Sequence, residues 1–275
     1  MSYRTILVHL NDSRRARRLL HYAAEIARAF EARLVGLHVS PTFRGSALDA
    51  PAIDGLQFSR GEEADHLRSI FEEIVNKDRF QGEFRLLTAD RPLDIVAARA
   101  HAADLVIASQ TDPKWGLSSV LDFPEHVAVV SGRPLLVVPN ATEVWTLPKA
   151  AIIAWNQRRD ATRAMYEALP LLKGARFVEL LTIDEQHDSG ALNREVLPLS
   201  AVAEALAAHG VKASAVTLRS SGPSIGCEIC ARAEKERVDL LVMGAYGHSR
   251  LRERVLGGAT QHMLSHMIVP TFFSH

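Results

Sequence analysis

Short apolar runs alternate with stretches of helical periodicity along the whole chain. The first run, Ile6-Leu7-Val8-His9-Leu10-Asn11, ends in Asn. After it come Leu19, Leu20, Ala23, Ile26, Ala27 and Phe30, which share one face of a 3.6-residue helix. A second run covers residues 34–39, a third 83–87, a fourth begins Asp104-Leu105-Val106, and a last covers 135–138, with helical spacing between them. Runs of four to six residues without alternation predict strands buried on both faces of a parallel sheet. Strands joined in this way by crossover helices predict a doubly wound α/β domain, in which ligands sit beyond the carboxyl ends of the strands.

The same order recurs in the second half. Ala151-Ile152-Ile153-Ala154-Trp155-Asn156 repeats the first run 145 residues on. Met165, Ala168, Leu169 and Leu172 repeat the helical face, and residues 177–182 and 213–218 repeat the second and third runs. Asp239-Leu240-Leu241-Val242-Met243 repeats the fourth at 135 residues, and Pro270-Thr271-Phe272-Phe273 the last at 136. The fall from 145 to 135 means that the first half carries about ten extra residues, most simply in the Gly/Pro-containing stretch 41–61. The expectation is two homologous domains, residues 1–140 and 149–275, each a mainly parallel five-stranded sheet. The terminal runs 135–138 and 271–273 would be exposed edges unless paired, which predicts an intramolecular pseudo-dimer, with a homodimer as the further assembly.

Composition narrows the function. Lys plus Arg and Asp plus Glu each number 32; 17 basic and 18 acidic residues fall before position 141, leaving 15 and 14 after it. Neither half is a basic platform, so nucleic acid is not an expected partner. No run reaches the ~20 apolar residues of a membrane span, and the start carries no signal-peptide pattern. The two cysteines are too few for a secreted disulfide scaffold, so a cytoplasmic location is expected.

The candidate chemistry lies after the fourth run of the second half. Gly244-Ala245-Tyr246-Gly247 is followed by nine residues, 248–256, and then by Gly257-Gly258-Ala259-Thr260. Glycines let backbone approach a phosphate, and free N–H groups at the start of the next helix favour an anion. Two glycines after a strand are common in purely structural turns; the third, opening the next helix, makes the pattern more specific.

On these residues the chain resembles the universal stress protein family, as two tandem family domains. The family's nucleotide motif is G-x-x-G, nine residues, then G followed by Ser or Thr. Gly244, Gly247 and Gly257 match it. Gly258 stands where the hydroxyl residue belongs, with Thr260 two places on. The resemblance implies ATP, ADP or AMP as ligand, with or without Mg, bound weakly through Asn156, Thr182, Gly244, Tyr246, Gly247, Gly257, Gly258, Ala259 and Thr260. Asn156 takes the place of the family's Asp, and Trp155 beside it either stacks on a base or fills the pocket. In the first half Ser109-Gln110-Thr111-Asp112 replaces the first two glycines and Asp122 the third, with Asn11 and Val39 on the adenosine side. That half is expected to be a scaffold without a phosphate cradle. The resemblance implies a stress-response or regulatory protein, with an unidentified protein partner, that binds nucleotide rather than turning it over.

Three rival motifs remain. Gly222-Pro223-Ser224-Ile225-Gly226 has the form of a hydrolase nucleophile elbow, against which Ser224 reads as a helix cap. A Ser224 hydrolase and a slow ATPase are the enzymatic alternatives, although Glu253, the nearest acid in the nine-residue segment, reads as pairing with Arg250 and Arg254. Cys227 and Cys230 form a C-x-x-C near a helix start, either a redox pair, half a zinc site, or two small residues on a packing face. His262 and His266 have metal-ligand spacing on the last helix but lack an obvious third ligand.

Overall fold

The protein is described by a computed structural model covering residues 2–42, 50–78, 81–112, 114, 124–140, 146–184, 197–245 and 258–275. The chain divides into two compact units, Ser2–Thr146 and Leu147–His275.

In the first unit the apolar runs become β1 (Thr5–His9), β2 (Arg33–Pro41), β3 (Gly82–Ala89), β4 (Leu105–Ser109) and β5 (Leu135–Val138). Between them lie α1 (Ser13–Phe30), α2 (Ala50–Asp78), α3 (Pro92–Ala100) and α4 (Pro124–Val130). The strand order is β3-β2-β1-β4-β5, parallel at every pairing. Helix α1 starts at Asp12, whose carboxylate accepts the Arg14 amide at 3.0 Å. It stops at Glu31, which takes a left-handed conformation with φ of 52°. Its Leu19, Leu20, Ala23, Ile26 and Ala27 are buried, as the periodicity predicts.

The second unit repeats this plan with β6 (Ala150–Ala154), β7 (Phe177–Asp184), β8 (Ser214–Arg219), β9 (Leu240–Gly244) and β10 (Thr271–Ser274). The helices are α5 (Arg159–Glu167), α6 (Leu169–Leu172), α7 (Leu199–Ala208), α8 (Ile225–Lys235) and α9 (Gly258–His266). The order is β8-β7-β6-β9-β10, again all parallel. Each half is therefore a doubly wound α/β domain. The topological switch point lies between β1 and β4 in one unit and between β6 and β9 in the other.

One expectation needs correction. The third run of each half is not buried on both faces: β3 and β8 are half-exposed along their length, and Leu86 is 41% exposed. Each lies at the outer end of its unit's strand order, with a neighbour on one side only, β2 for β3 and β7 for β8. The stretch 41–61, where the extra residues of the first half are expected, is partly helical. From Ala50 it is helical, α2 having 29 residues where α7 has 10.

Candidate functional site

Strands β6 and β9 deliver the candidate site residues to their carboxyl ends. Asn156, two residues past β6, is exposed, and its Oδ1 accepts the Arg158 amide at 3.2 Å, closing a side-chain turn that leads into α5. Gln157 within that turn has φ of 59°. Thr182 on β7 donates its hydroxyl to the Trp155 carbonyl at 3.0 Å, tying β7 to the end of β6. Trp155 is buried. Its indole N–H is buried, with no hydrogen-bond partner among the described residues.

Gly244 closes β9 against α5. A Cβ there would lie 2.6 Å from the Ala161 amide nitrogen and 2.7 Å from the Asp160 carbonyl carbon. The glycine is thus required by helix–strand packing, whatever else the turn does. Ala245 is fully buried; its amide donates to the Ser274 carbonyl at 2.8 Å, and its carbonyl lies 2.9 Å from His275 Nδ1. Gly258 opens α9, with no heavy atom of the described residues within 4 Å of a Cβ built on it. Ala259 follows, and Thr260 is buried one residue further on. Tyr246, Gly247 and Gly257, together with Glu253, Arg250 and Arg254, lie outside the described residues, as does Asp122 of the first half.

The sequence reading missed three residues at this end. Asp160, in the first turn of α5, is buried against Gly244. Its carboxylate is 3.2 Å from the Arg159 guanidinium and 3.9 Å from His275 Nδ1. Arg158 and Arg159 are exposed at the same helix start, so the mouth of the site carries cationic groups around one buried carboxylate. An Arg-Arg-Asp run at a predicted helix start was the available signal.

The first unit fills the corresponding place with its own side chains. Arg15 is buried. Its guanidinium donates to the Gln110 carbonyl at 2.8 Å, to Asn140 Oδ1 at 3.1 Å and to Asp12 Oδ2 at 3.1 Å, with Asn11 Oδ1 3.5 Å away. Asn140 in turn donates its Nδ2 to the Thr111 carbonyl at 3.2 Å. Asp112 accepts the Lys114 amide. The strand register also revises one equivalence. Leu34 pairs with Ile6 as Val178 pairs with Ala151, which makes His38 the counterpart of Thr182, and Ile183 that of Val39. The chemistry agrees, since His38 Nδ1 contacts the Leu10 carbonyl at 2.7 Å just as Thr182 contacts that of Trp155.

His9, beside this network, is buried, and its imidazole pKa is lowered to about 3 by desolvation, then by His38 and Arg15. The unfolded chain takes up this proton near pH 6.5, and the folded chain does not until about pH 3. The contribution to stability is therefore complete above pH 6.5 and is lost as pH falls through that window, at about 1.4 kcal/mol per pH unit. Urea denaturation should show a His9→Gln variant losing less stability than the parent between pH 6.5 and pH 5; equal losses would refute the assignment.

The rival motifs separate. Ser224 is the N-cap of α8, its hydroxyl accepting the Cys227 amide at 3.2 Å. Asp239 accepts the Lys149 and Ala150 amides at the amino ends of the strands, remote from any elbow chemistry. Among the described residues no group of three or more His, Cys, Asp or Glu side chains could hold a metal ion, and no helix is long and apolar enough to cross a membrane.

The universal stress protein family matches the chain twice, over residues 2–139 and 156–273. A universal stress protein from Archaeoglobus fulgidus DSM 4304 superposes with a TM-score of 0.76 at 16% identity, covering 98% of this chain and 95% of that one. A Pseudomonas aeruginosa PAO1 protein of unknown function covers 99% of this chain and 92% of its own, with a TM-score of 0.58 at 14% identity. Another Archaeoglobus fulgidus universal stress protein, solved in complex with dAMP, matches 50% of this chain and 98% of its own at 24% identity and a TM-score of 0.35. No curated protein matches the chain. With both halves matched by the same family and the doubly wound fold present in each, the chain belongs to the universal stress protein family as a tandem member.

Proposed function

We propose that the second unit binds one adenine nucleotide of the ATP type, weakly, and that the first unit is a scaffold. The observation that carries this is the glycine-bounded connection from β9 to α9. It starts at the carboxyl end of a strand beside the switch point and ends at a helix amino terminus, where no described side chain crowds Gly258. Arg158 and Arg159 at the mouth favour an anion, whereas the buried Asp160 opposes a bare triphosphate and so favours its Mg complex. In the first unit the Arg15 network stands in place of a ligand cradle. On this reading the protein works by a conformational or partner-binding change when nucleotide is bound, and its partner is a protein.

Calorimetric titration with Mg-ATP is the test. One weak site per chain is expected. Gly258→Ser restores the hydroxyl of the family motif in a place with room for it, and should strengthen binding about tenfold, the value of one hydrogen bond to a charged group. The absence of both heat and a melting-temperature shift at millimolar Mg-ATP would overturn the nucleotide reading, and two equal sites would overturn the scaffold role. A slow ATPase is the second reading, favoured by the position of Asp160. It requires steady phosphate release that Asp160→Asn abolishes, whereas the binding reading requires nucleotide to remain unhydrolysed.

A further inference from the structure

Helices α8 and α9 bring together two pairs of residues that are unrelated in the sequence. Gly226 makes this possible: a Cβ there would lie 2.6 Å from His262 Cβ and 2.8 Å from its ring carbons, so α9 sits directly on the first turn of α8. The His262 ring is thereby set beside Cys227, whose Sγ is 3.5 Å from Nε2 and 3.9 Å from Nδ1. His266 stacks on His262, with ring centroids 4.4 Å apart and planes 15° apart. Cys230, one turn along α8, contacts Met263 Sδ at 3.8 Å and the His266 carbonyl at 3.9 Å. Both cysteines are free thiols and partly exposed.

We propose that Cys227 and Cys230 are a peroxide-reactive dithiol, in which Cys227 attacks, His262 accepts its proton and Cys230 resolves the product into an intramolecular disulfide. The Cys227 thiol passes its proton to the His262 ring. The thiolate attacks one oxygen of a hydroperoxide ROOH; the O–O bond breaks, ROH leaves with that proton, and Cys227 becomes a sulfenic acid. The Cys230 sulfur then attacks Cys227 Sγ; the S–O bond breaks, and hydroxide leaves as water with the Cys230 proton. Two thiols and ROOH give one disulfide, ROH and water, the sulfurs losing two electrons and the peroxide gaining them. A small dithiol reductant returns the pair to its starting state.

The surroundings fit these roles. Cys227 lies in the first turn of α8, where the helix dipole favours a thiolate. Burial and the neighbouring His266 lower the pKa of His262, which keeps the ring neutral and able to accept a proton. Burial and the Cys227 charge raise the pKa of the Cys230 thiol, which suits the resolving role rather than the attacking one. Glu228, the nearest carboxylate on α8, is turned toward Ser220 and the Ser221 and Gly222 amides instead. Residues three apart on a helix have Cα atoms about 5 Å apart, inside the disulfide range, but their Cβ atoms are more widely spaced than a relaxed disulfide allows. Closing the bridge tightens the first turn of α8 and draws Cys227 off His262. That strain makes the disulfide easily reduced, as a reversible sensor requires. A metal site is the poorer fit, because the two sulfurs and two imidazoles do not converge on one point.

The chain has two cysteines, so intact mass resolves the products. The folded full chain is treated with a few equivalents of hydrogen peroxide near neutral pH, denatured and alkylated. The expected product has lost two hydrogens and takes up no alkyl group, where untreated protein takes up two; a dithiol reductant restores both. In Cys230→Ser, dimedone should trap a sulfenic acid on Cys227, whereas Cys227→Ser should give none at the same dose. His262→Gln should slow Cys227 alkylation about tenfold at pH 7 yet leave it unchanged near pH 10, where the thiol ionises unaided. A merely structural histidine would not give that pH-dependent split. Retention of both alkylatable thiols, disulfide formation only between chains, or dimedone on Cys230 in place of Cys227 would overturn the proposal.

Discussion

Gly244→Ala should destabilise the second unit by about 3 kcal/mol with no nucleotide present, at the upper end of the usual overpacking cost. The added methyl would stand 2.6 Å from the Ala161 nitrogen and 2.7 Å from the Asp160 carbonyl carbon, which are backbone atoms inside a helix. No rotamer change relieves such a contact; α5 has to move off β9, taking its buried Ala161, Ala164 and Met165 with it. Valine should cost more. The first unit carries Ser109 at the corresponding place, so there the helix and strand already accommodate a side chain. Ser109→Gly should accordingly cost only about 1 kcal/mol, mostly through backbone entropy. Urea denaturation of the ligand-free chain measures both. If Gly244→Ala leaves stability intact and weakens only nucleotide binding, the glycine makes space for a phosphate and not for a helix, and the packing argument fails.

The same residue shows what the sequence could and could not say. A glycine after an apolar run is legible as a turn, but whether it yields to a ligand or to a helix depends on a distance to Asp160 and Ala161, some 83 residues earlier in the chain. The two-domain repeat and the parallel sheets were legible because apolar runs at matching intervals report local structure directly. A helix between the second and third runs was legible, but its length was not, because Pro51, Gly55 and Gly61 punctuate a sequence that a 29-residue helix spans. The equivalence of Thr182 with Val39 slipped by one place because β2 and β7 are buried on successive positions and show no apolar–polar alternation to fix register; pairing with β1 and β6 fixes it instead. The joint Cys227–His262 contact was invisible because its two halves lie 35 residues apart on different helices.

Arg232→Met should be the most damaging substitution far from the candidate site, costing about 3–5 kcal/mol. Glu179 lies in β7, pairs in register with Ile152 and Ser214, and is 1% exposed. In the sequence it was absorbed into an apolar run, since nothing near it in the chain marks its role. Its partner comes from α8, 53 residues on: Arg232 donates Nε to one carboxylate oxygen at 2.9 Å and Nη2 to the other at 2.6 Å. The guanidinium also lies 3.1 Å from Glu236. This two-pronged geometry offsets the cost of taking both charges out of water. Removing the arginine alone leaves a carboxylate in an apolar sheet with nothing to replace its two hydrogen bonds. Removing both charges removes the problem, so Glu179→Leu combined with Arg232→Met should recover most of the loss and approach the parent. A urea double-mutant cycle reads the coupling. If the double variant is as unstable as Arg232→Met alone, the arginine acts by packing its stem against the sheet, and the buried pair contributes little to holding α8 in place.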